Sequence, residues 1–457
     1  MKKILVISGD TVNQNMGGVG VRNWELAHAL AGQCQVTLAI PNHTDLVSSR
    51  VHLAQFDLEG GDLRPLASQA DALVTHGFIL HFHPYLRETG LPLAIDLYTP
   101  FLLESLVWHD RDDWGQWIPA YEEYLRVQLE LLRAGDFFIC ASHRQRDYWL
   151  GWLHAQKRIN PHTYRQDPTL RHLIDIVPFG LPSELPVTSG PVLKGLCPGI
   201  SPRDKLILWS GGLWDWLDPL TLIQAVANIS QHRSDVKLYF MGTRHPNPVV
   251  SGMSMPDQAI ALSKSLGVYQ TAVFFGDWAP YQERAGYLLE ADLGVVSHPG
   301  HIETHFSFRT RVLDCIWTGL PLVITEGDAM ADLAVSTGIG LAVPPLDVPA
   351  MQAALEELLS RDRDFFSDRF ASLREALRWD RVIAPLARFC QDPALAPDKG
   401  QYLTDLERIS LDKDAHLEQV IRDKDDYIAS LEMQVRHYQS KLPFRMAAWL
   451  RRKLRPS

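Results

Sequence analysis

Short, continuous apolar runs alternate with segments of helical period over most of the chain. In the first half Ile4 to Ser8, Val36 to Ile40, Ala72 to Thr75, Leu93 to Asp96 and Phe137 to Cys140 predict strands, and Ile174-Asp-Ile-Val-Pro-Phe-Gly-Leu-Pro closes the series. Runs this uniformly apolar, separated by helices, imply a parallel sheet covered on both faces. From Ser183 to Asp204, Pro, Gly and Ser recur without period, as in a linker between domains. A second series begins at Lys205-Leu-Ile-Leu-Trp-Ser and continues through Lys237-Leu-Tyr-Phe-Met, Ala272-Val-Phe-Phe, Leu293-Gly-Val-Val-Ser and Leu322-Val-Ile-Thr. The pattern predicts an α/β chain of two doubly wound parallel sheets, over 1–190 and 200–390, facing a cleft. In such sheets ligands sit beyond the carboxyl ends of the strands, so the loops there carry the chemistry.

The pattern then changes. An amphipathic helix, Arg381 to Phe389, precedes a Pro-rich break at Asp392 to Lys399, and residues 400–457 read as a helical tail. A stripe through Leu403, Leu406, Leu417, Val420, Tyr427, Leu431 and Tyr438 suits a coiled coil that self-associates. Ser410, Lys413, Lys424 and Gln434 interrupt it, which suits a solvated single helix instead. From Lys441 onward there are six Lys or Arg and no acid, with Phe444, Trp449, Leu450 and Leu454 among them. Such an end fits an anionic membrane surface, or a docking partner.

Composition narrows the class. The 457 residues, 46% of them apolar, suffice for two cores. A formal charge of −10 gives no dominant basic face, so a general nucleic-acid binder is not expected. The five cysteines are scattered without paired spacing, as free thiols of a reducing compartment would be. The N-terminus runs from a short apolar strand into a Gly-rich loop, unlike a signal peptide, and no stretch is apolar enough to span a bilayer. A cytoplasmic protein, peripheral at the inner face of the plasma membrane, is expected.

The loops carry distinct chemistries. Gly17, Gly18 and Gly20 let backbone approach a ligand at a helix start, where unpaired amides favour phosphate or hydroxyl groups. The loop is too long for a dinucleotide fingerprint, and the second strand ends Ile40-Pro41-Asn42-His43 without the usual acid, so an NAD enzyme is disfavoured. His76, at a strand end before Gly77, is placed to hold a sugar hydroxyl or a leaving phosphate, or else caps its loop. His81 and His83 lack an adjacent acid or Cys, and no metal site is expected. Gly211 and Gly212 follow a strand and precede Trp214, Asp215 and Trp216, aromatics for a base or sugar face or for the core. Arg244 follows the next strand on the same rim. Residues 303 to 328 are the richest segment: Glu303, Arg309, Arg311 and Asp314 set two carboxylates around two guanidiniums, a grammar for a sugar joined to a phosphate. The arginines bind phosphate or salt-bridge the two acids.

The order of the Gly-rich loop, Gly135-Asp-Phe-Phe-Ile-Cys-Ala-Ser, Ile176-Val-Pro-Phe-Gly, Trp209-Ser-Gly-Gly-Leu, Asp277-Trp and Gly319-Leu-Pro-Leu-Val resembles retaining glycosyltransferases of family 4 over roughly residues 1 to 390. The resemblance implies a GT-B fold of two Rossmann-like domains, with an acceptor on the first and a nucleotide sugar on the second. It places Asp314 on the ribose and, because Phe306 stands where the family has an acid, Glu303 on the hexose. The family's diphosphate cations align with Gly212 and Leu217, which leaves Arg309 and Arg311 to replace them.

Two function classes follow. One is a retaining, metal-independent hexosyltransferase of cell-surface polysaccharide or glycolipid assembly. It would need no cofactor beyond its nucleotide-diphosphate sugar and would act on a glycan or lipid-linked acceptor. The other is a catalytically silent GT-B scaffold, with a GT-B nucleotide-sugar epimerase as a further alternative.

Overall fold

The computed structural model describes residues 1–108, 114–188, 190–244, 253–399 and 401–453. The chain divides into two compact units, Met1–Ala396 and Pro397–Ser457. The first holds two parallel sheets.

Seven strands form the N-terminal sheet: β1 Lys3–Ile7, β2 Gln35–Ile40, β3 Val51–Gln55, β4 Ala72–His76, β5 Leu93–Asp96, β6 Phe137–Cys140 and β7 Ile174–Ile176. Their order is β3-β2-β1-β4-β5-β6-β7. Six more, β8 Lys205–Gly212, β9 Val236–Gly242, β10 Val273–Phe275, β11 Leu293–Val296, β12 Leu322–Thr325 and β13 Gly340–Val343, are ordered β10-β9-β8-β11-β12-β13. The winding reverses between β1 and β4 and between β8 and β11, which opens a crevice at each pair's carboxyl ends. Central strands such as β4, β5, β11 and β12 are almost wholly buried, which accounts for their unbroken apolar runs. The sequence pattern did not reveal β3 and β13. Both lie at sheet edges with half-exposed positions, where the apolar signal thins.

The chain crosses between the sheets twice. The outgoing crossing follows Phe179-Gly-Leu-Pro, and Glu290 pins it by accepting the amides of Val192, Leu193 and Lys194. The return crossing pairs with the first: Leu181 N donates to Leu377 O at 2.7 Å and Trp379 N to Leu181 O at 3.0 Å. Gly180 is required here, since a Cβ would stand 2.5 Å from the Trp379 ring. Beyond it, helix Ala384–Gln391 packs on the first domain, with Phe389 stacked on Phe137 at 5.2 Å.

The C-terminal unit is dominated by one helix, Gln401–Lys453, with Pro443 inside it. At 1.5 Å per residue its 53 residues extend about 80 Å. Leu417, Ile421, Lys424, Ile428, Leu431, Val435 and Tyr438 alternate by four and three along it, and their apolar members are exposed. Leu454, part of the sequence-based reading of the basic end, lies outside the described residues.

Candidate active site

The segment after β11 folds as two short helices. Helix Ile302–Phe306 starts under a His301 side-chain cap, and helix Arg311–Thr318 ends at Gly319, whose φ of 69° is the left-handed closure that glycine makes without strain. Glu303, on the first, is fully buried. Its Oε2 accepts from Arg309 Nη2 at 2.7 Å and lies 3.5 Å from His301 Nδ1. Beneath them Asp328 caps helix Ala329–Thr337 and lies 3.5 Å from His298 and 3.9 Å from Arg309 Nε. Glu303 Oε1, His301 Nε2, Arg309 Nε and Arg311 Nη1 are buried with no hydrogen-bond partner in the protein. Polar atoms left this way cost stability unless a ligand or solvent completes them. Glu303, Arg309 and Arg311 line one cavity.

Arg311 reaches the other side of that cavity. Its Nη2 donates to Gly212 O, and its guanidinium lies 4.9 Å from the Trp209 ring centroid. Burial, reinforced by Arg309, pushes its pKa down to about 9, so it remains a cation at neutral pH. The approach needs Gly211, which has φ of 95° and would put a Cβ 3.2 Å from Arg311 Nε. Asp314 pairs with Arg284 at 3.3 Å, and that guanidinium also stacks 3.7 Å over Tyr281 and 4.7 Å over Trp317. Burial raises the Asp314 pKa, against the opposing pull of Arg284. Of the two salt bridges envisaged from sequence, Arg309–Glu303 forms. Asp314 takes Arg284 instead.

A cavity of about 230 Å³ between the domains is lined by Gly17, Gly18, Gly211, Gly212, Arg311 and Asp314, with Trp214, Trp278 and Tyr281 as its aromatic walls. It shares Gly17, Gly18 and Arg311 with a neighbouring cavity of about 290 Å³, where Glu303 and Arg309 face Asp10, Thr99 and Glu104 of the first domain. Gly17 is the N-cap of helix Gly18–Leu30, so amides at a helix start look across both cavities at Arg311. Burial and the Glu303 charge raise the Glu104 pKa to about 7. Contacts across the cleft fix the facing: Tyr281 N donates to Gln14 O at 2.9 Å, Tyr281 Oη to Glu25 at 3.0 Å and Gln145 Nε2 to Phe306 O at 2.9 Å.

Other sequence-derived candidates sit elsewhere. His76 lies at the β1/β4 crevice in the first domain. Its Nε2 accepts the Gly9 amide at 3.1 Å, which puts the ring proton on Nδ1, and burial lowers its pKa. Gly20 faces inward, because a Cβ would fall 2.2 Å from Thr11 O. Arg244 is exposed, pairs with Asp257 and lines none of these cavities. Asp215 caps helix Met255–Ser265 through the Met255 amide at 2.7 Å, and Trp214 stacks on Trp216 at 5.4 Å. Arg284, Tyr281, Glu104 and His301 were not singled out from sequence. His301 stands two residues before Glu303 and was within reach of a local reading, whereas the other three are brought in by distant elements.

Residues 204–361 match the family described as Glycosyl transferases group 1. Among solved structures the chain is similar to sucrose-phosphate synthase from Thermosynechococcus elongatus (17% identity over 85% of this chain and 98% of that one, TM-score 0.62). It is also similar to the trehalose-6-phosphate synthase OtsA (14%, 86% and 100%, 0.59) and to WaaG, a glycosyltransferase involved in lipopolysaccharide biosynthesis (16%, 87% and 98%, 0.51). No curated protein matches by sequence. The fold is GT-B. Its second domain carries the group 1 glycosyl transferase match, which supports glycosyl transfer as the chemistry of this cleft.

Proposed function

We propose that the protein transfers a hexosyl group from a nucleotide-diphosphate sugar to an acceptor hydroxyl, with retention at the anomeric carbon. The observation that carries this reading is the convergence of unpartnered buried donors and acceptors on Glu303, Arg309 and Arg311 opposite the helix start at Gly17 and Gly18. A donor sugar supplies hydroxyls for Glu303 Oε1 and anionic oxygens for the arginine N–H groups and the amides. Asp314, in the aromatic cavity, suits the ribose hydroxyls, with Arg284 holding its carboxylate.

Phosphate charge grows as the glycosidic bond breaks, and Arg311 with the helix start stabilises it in a site shielded from water. These fixed positive groups are sufficient for the leaving group without a metal ion. Attack from the face the diphosphate leaves retains configuration, and a departing phosphate oxygen takes the acceptor proton. Cell-surface polysaccharide or glycolipid assembly at the cytoplasmic face of the membrane is the setting we infer. The exposed Arg451, Arg452 and Lys453 beside Trp449 support peripheral contact with anionic lipid. No helix of the described residues is long and apolar enough to cross a membrane.

The Arg309–Glu303 pair favours a second reading, a silent scaffold, because it neutralises one phosphate-binding cation internally. A panel of nucleotide sugars, followed by release of nucleoside diphosphate, separates the two. Transfer predicts turnover with at least one donor and a loss of 10²- to 10³-fold in Arg311→Ala, the scale of removing one preorganised transition-state donor. It further predicts weaker donor binding in Asp314→Ala. Donor binding without turnover, or an epimerised donor released without any acceptor, would sink the transfer reading.

A further inference from the structure

Next to the donor cavity that Glu303 and Arg309 line, and sharing Asp10, Tyr98 and Thr99 with it, lies a larger cavity of about 480 Å³ within the first domain. Its walls are mostly apolar, with Phe78 among them. That ring meets Tyr124 at 5.5 Å, Phe101 at 5.6 Å and Phe82 at 6.4 Å. The charged residues among its described lining are Asp10, Arg22 and Asp96. Arg22 and Asp96 form a buried bidentate pair, Nε to Oδ2 at 2.5 Å and Nη2 to Oδ1 at 3.0 Å, which leaves Arg22 Nη1 without a partner and the negative charge of Asp10 as the remaining formal charge. One polar group stands out on the apolar side. Gln128 of helix Trp114–Ala134 is fully buried, and neither its amide nitrogen nor its amide oxygen has a partner in the protein.

These features disagree with a phosphorylated sugar as acceptor. A dianion would meet the negative charge of Asp10 in a cavity whose one arginine has its charge balanced by Asp96, with a single Nη1 group left to offer, and its hydroxyls would face phenyl rings. Aromatic walls are suited to a ring or a chain, and an orphaned carboxamide to a single group that both donates and accepts. We propose, building on the transfer reading, that this cavity takes the aryl- or alkyl-bearing portion of an uncharged acceptor, anchored at Gln128. The acceptor's hydroxyl then reaches the donor cavity at Tyr98 and Thr99.

Isothermal titration of the full chain, in the presence of a nucleoside diphosphate, tests this with phenyl and hexyl β-glucoside against methyl β-glucoside and glucose 6-phosphate. The first two are expected to bind at least tenfold more tightly than the others. Phe101→Ala should remove most of that preference, and Phe82→Leu serves if the first variant does not fold. Gln128→Leu should weaken 4-acetamidophenyl β-glucoside several-fold while leaving hexyl β-glucoside unchanged. Glucose 6-phosphate binding as tightly as hexyl β-glucoside, no glucoside binding at all, or folded aromatic variants with unaltered preference would overturn the proposal. The nucleoside diphosphate titrated alone keeps the two readings apart. Glucoside preference without nucleotide binding would sink the transfer reading alone, and nucleotide binding without glucoside preference would sink this one alone.

Discussion

Glu104 and Glu303 approach one cavity from opposite domains, and burial beside the Glu303 charge makes ionising Glu104 unfavourable. Glu104, with its pKa raised from 4.5 to about 7, holds a proton in the folded chain where the unfolded chain has lost it. Its contribution to stability is therefore full below about pH 4.5 and is lost as pH rises toward 7. Glu104→Gln should melt at the wild-type temperature near pH 4.5 and progressively above it as pH rises, the gap levelling off past pH 7. Calorimetric melts across that range check the sign, and a gap that shrinks with rising pH would refute it. Glu303, Arg309, Arg311 and Asp314 were legible in the sequence because one short segment holds them all. Glu104 and Arg284 were not, since their placement depends on which helices the topology sets opposite that segment. Gly20 shows the converse ambiguity: glycine for close ligand approach and glycine for backbone packing look the same in a sequence.

At the scale of elements, the strands inside each sheet declared themselves, as did the mostly buried edges β7 and β10, whereas the half-exposed edges β3 and β13 did not. The helix Gln401–Lys453 is a third case, legible as a helix but open in its partner. The four-and-three alternation from Leu417 to Tyr438 runs through Ile421, Ile428 and Val435, which the sequence-based stripe through Val420 and Tyr427 passed over. We attribute to this face the self-association expected of the tail, with Lys424 as its polar interruption. Ile421→Lys combined with Ile428→Lys should lower the sedimentation-equilibrium mass of the full chain from a multiple toward the monomer. A monomeric wild type would remove that attribution. Deleting 441–457 should reduce co-sedimentation with anionic vesicles and leave the number of chains per particle unchanged.

Across the whole molecule, the return of the chain to the first domain fastens the two-sheet unit. Trp379 is 6% exposed and packs on Phe179 at 5.4 Å over Gly180. Trp379→Ala should cost about 3 to 5 kcal/mol, as large aromatic truncations in a core do, read as a lower urea midpoint. A cost near zero would show that the crossing carries little stability. The two doubly wound domains were readable from strand periodicity alone. This fastening was not, because nothing local to residues 377–396 says which sheet they will cover.

The paired crossings also govern mechanics. Leu181 and Trp379 tie both connections together at one spot, and Phe179, Gly180, Leu181 and Pro182 belong at once to that tie and to the wall of the aromatic cavity. Glu303 and Arg309 lie in the neighbouring cavity, which those four residues do not line. On the transfer reading proposed above, opening about this tie would carry the sugar end of the donor through a wider arc than the nucleotide end. The same reading expects the glycosylated product to leave before the nucleoside diphosphate, an order that product-inhibition kinetics would check.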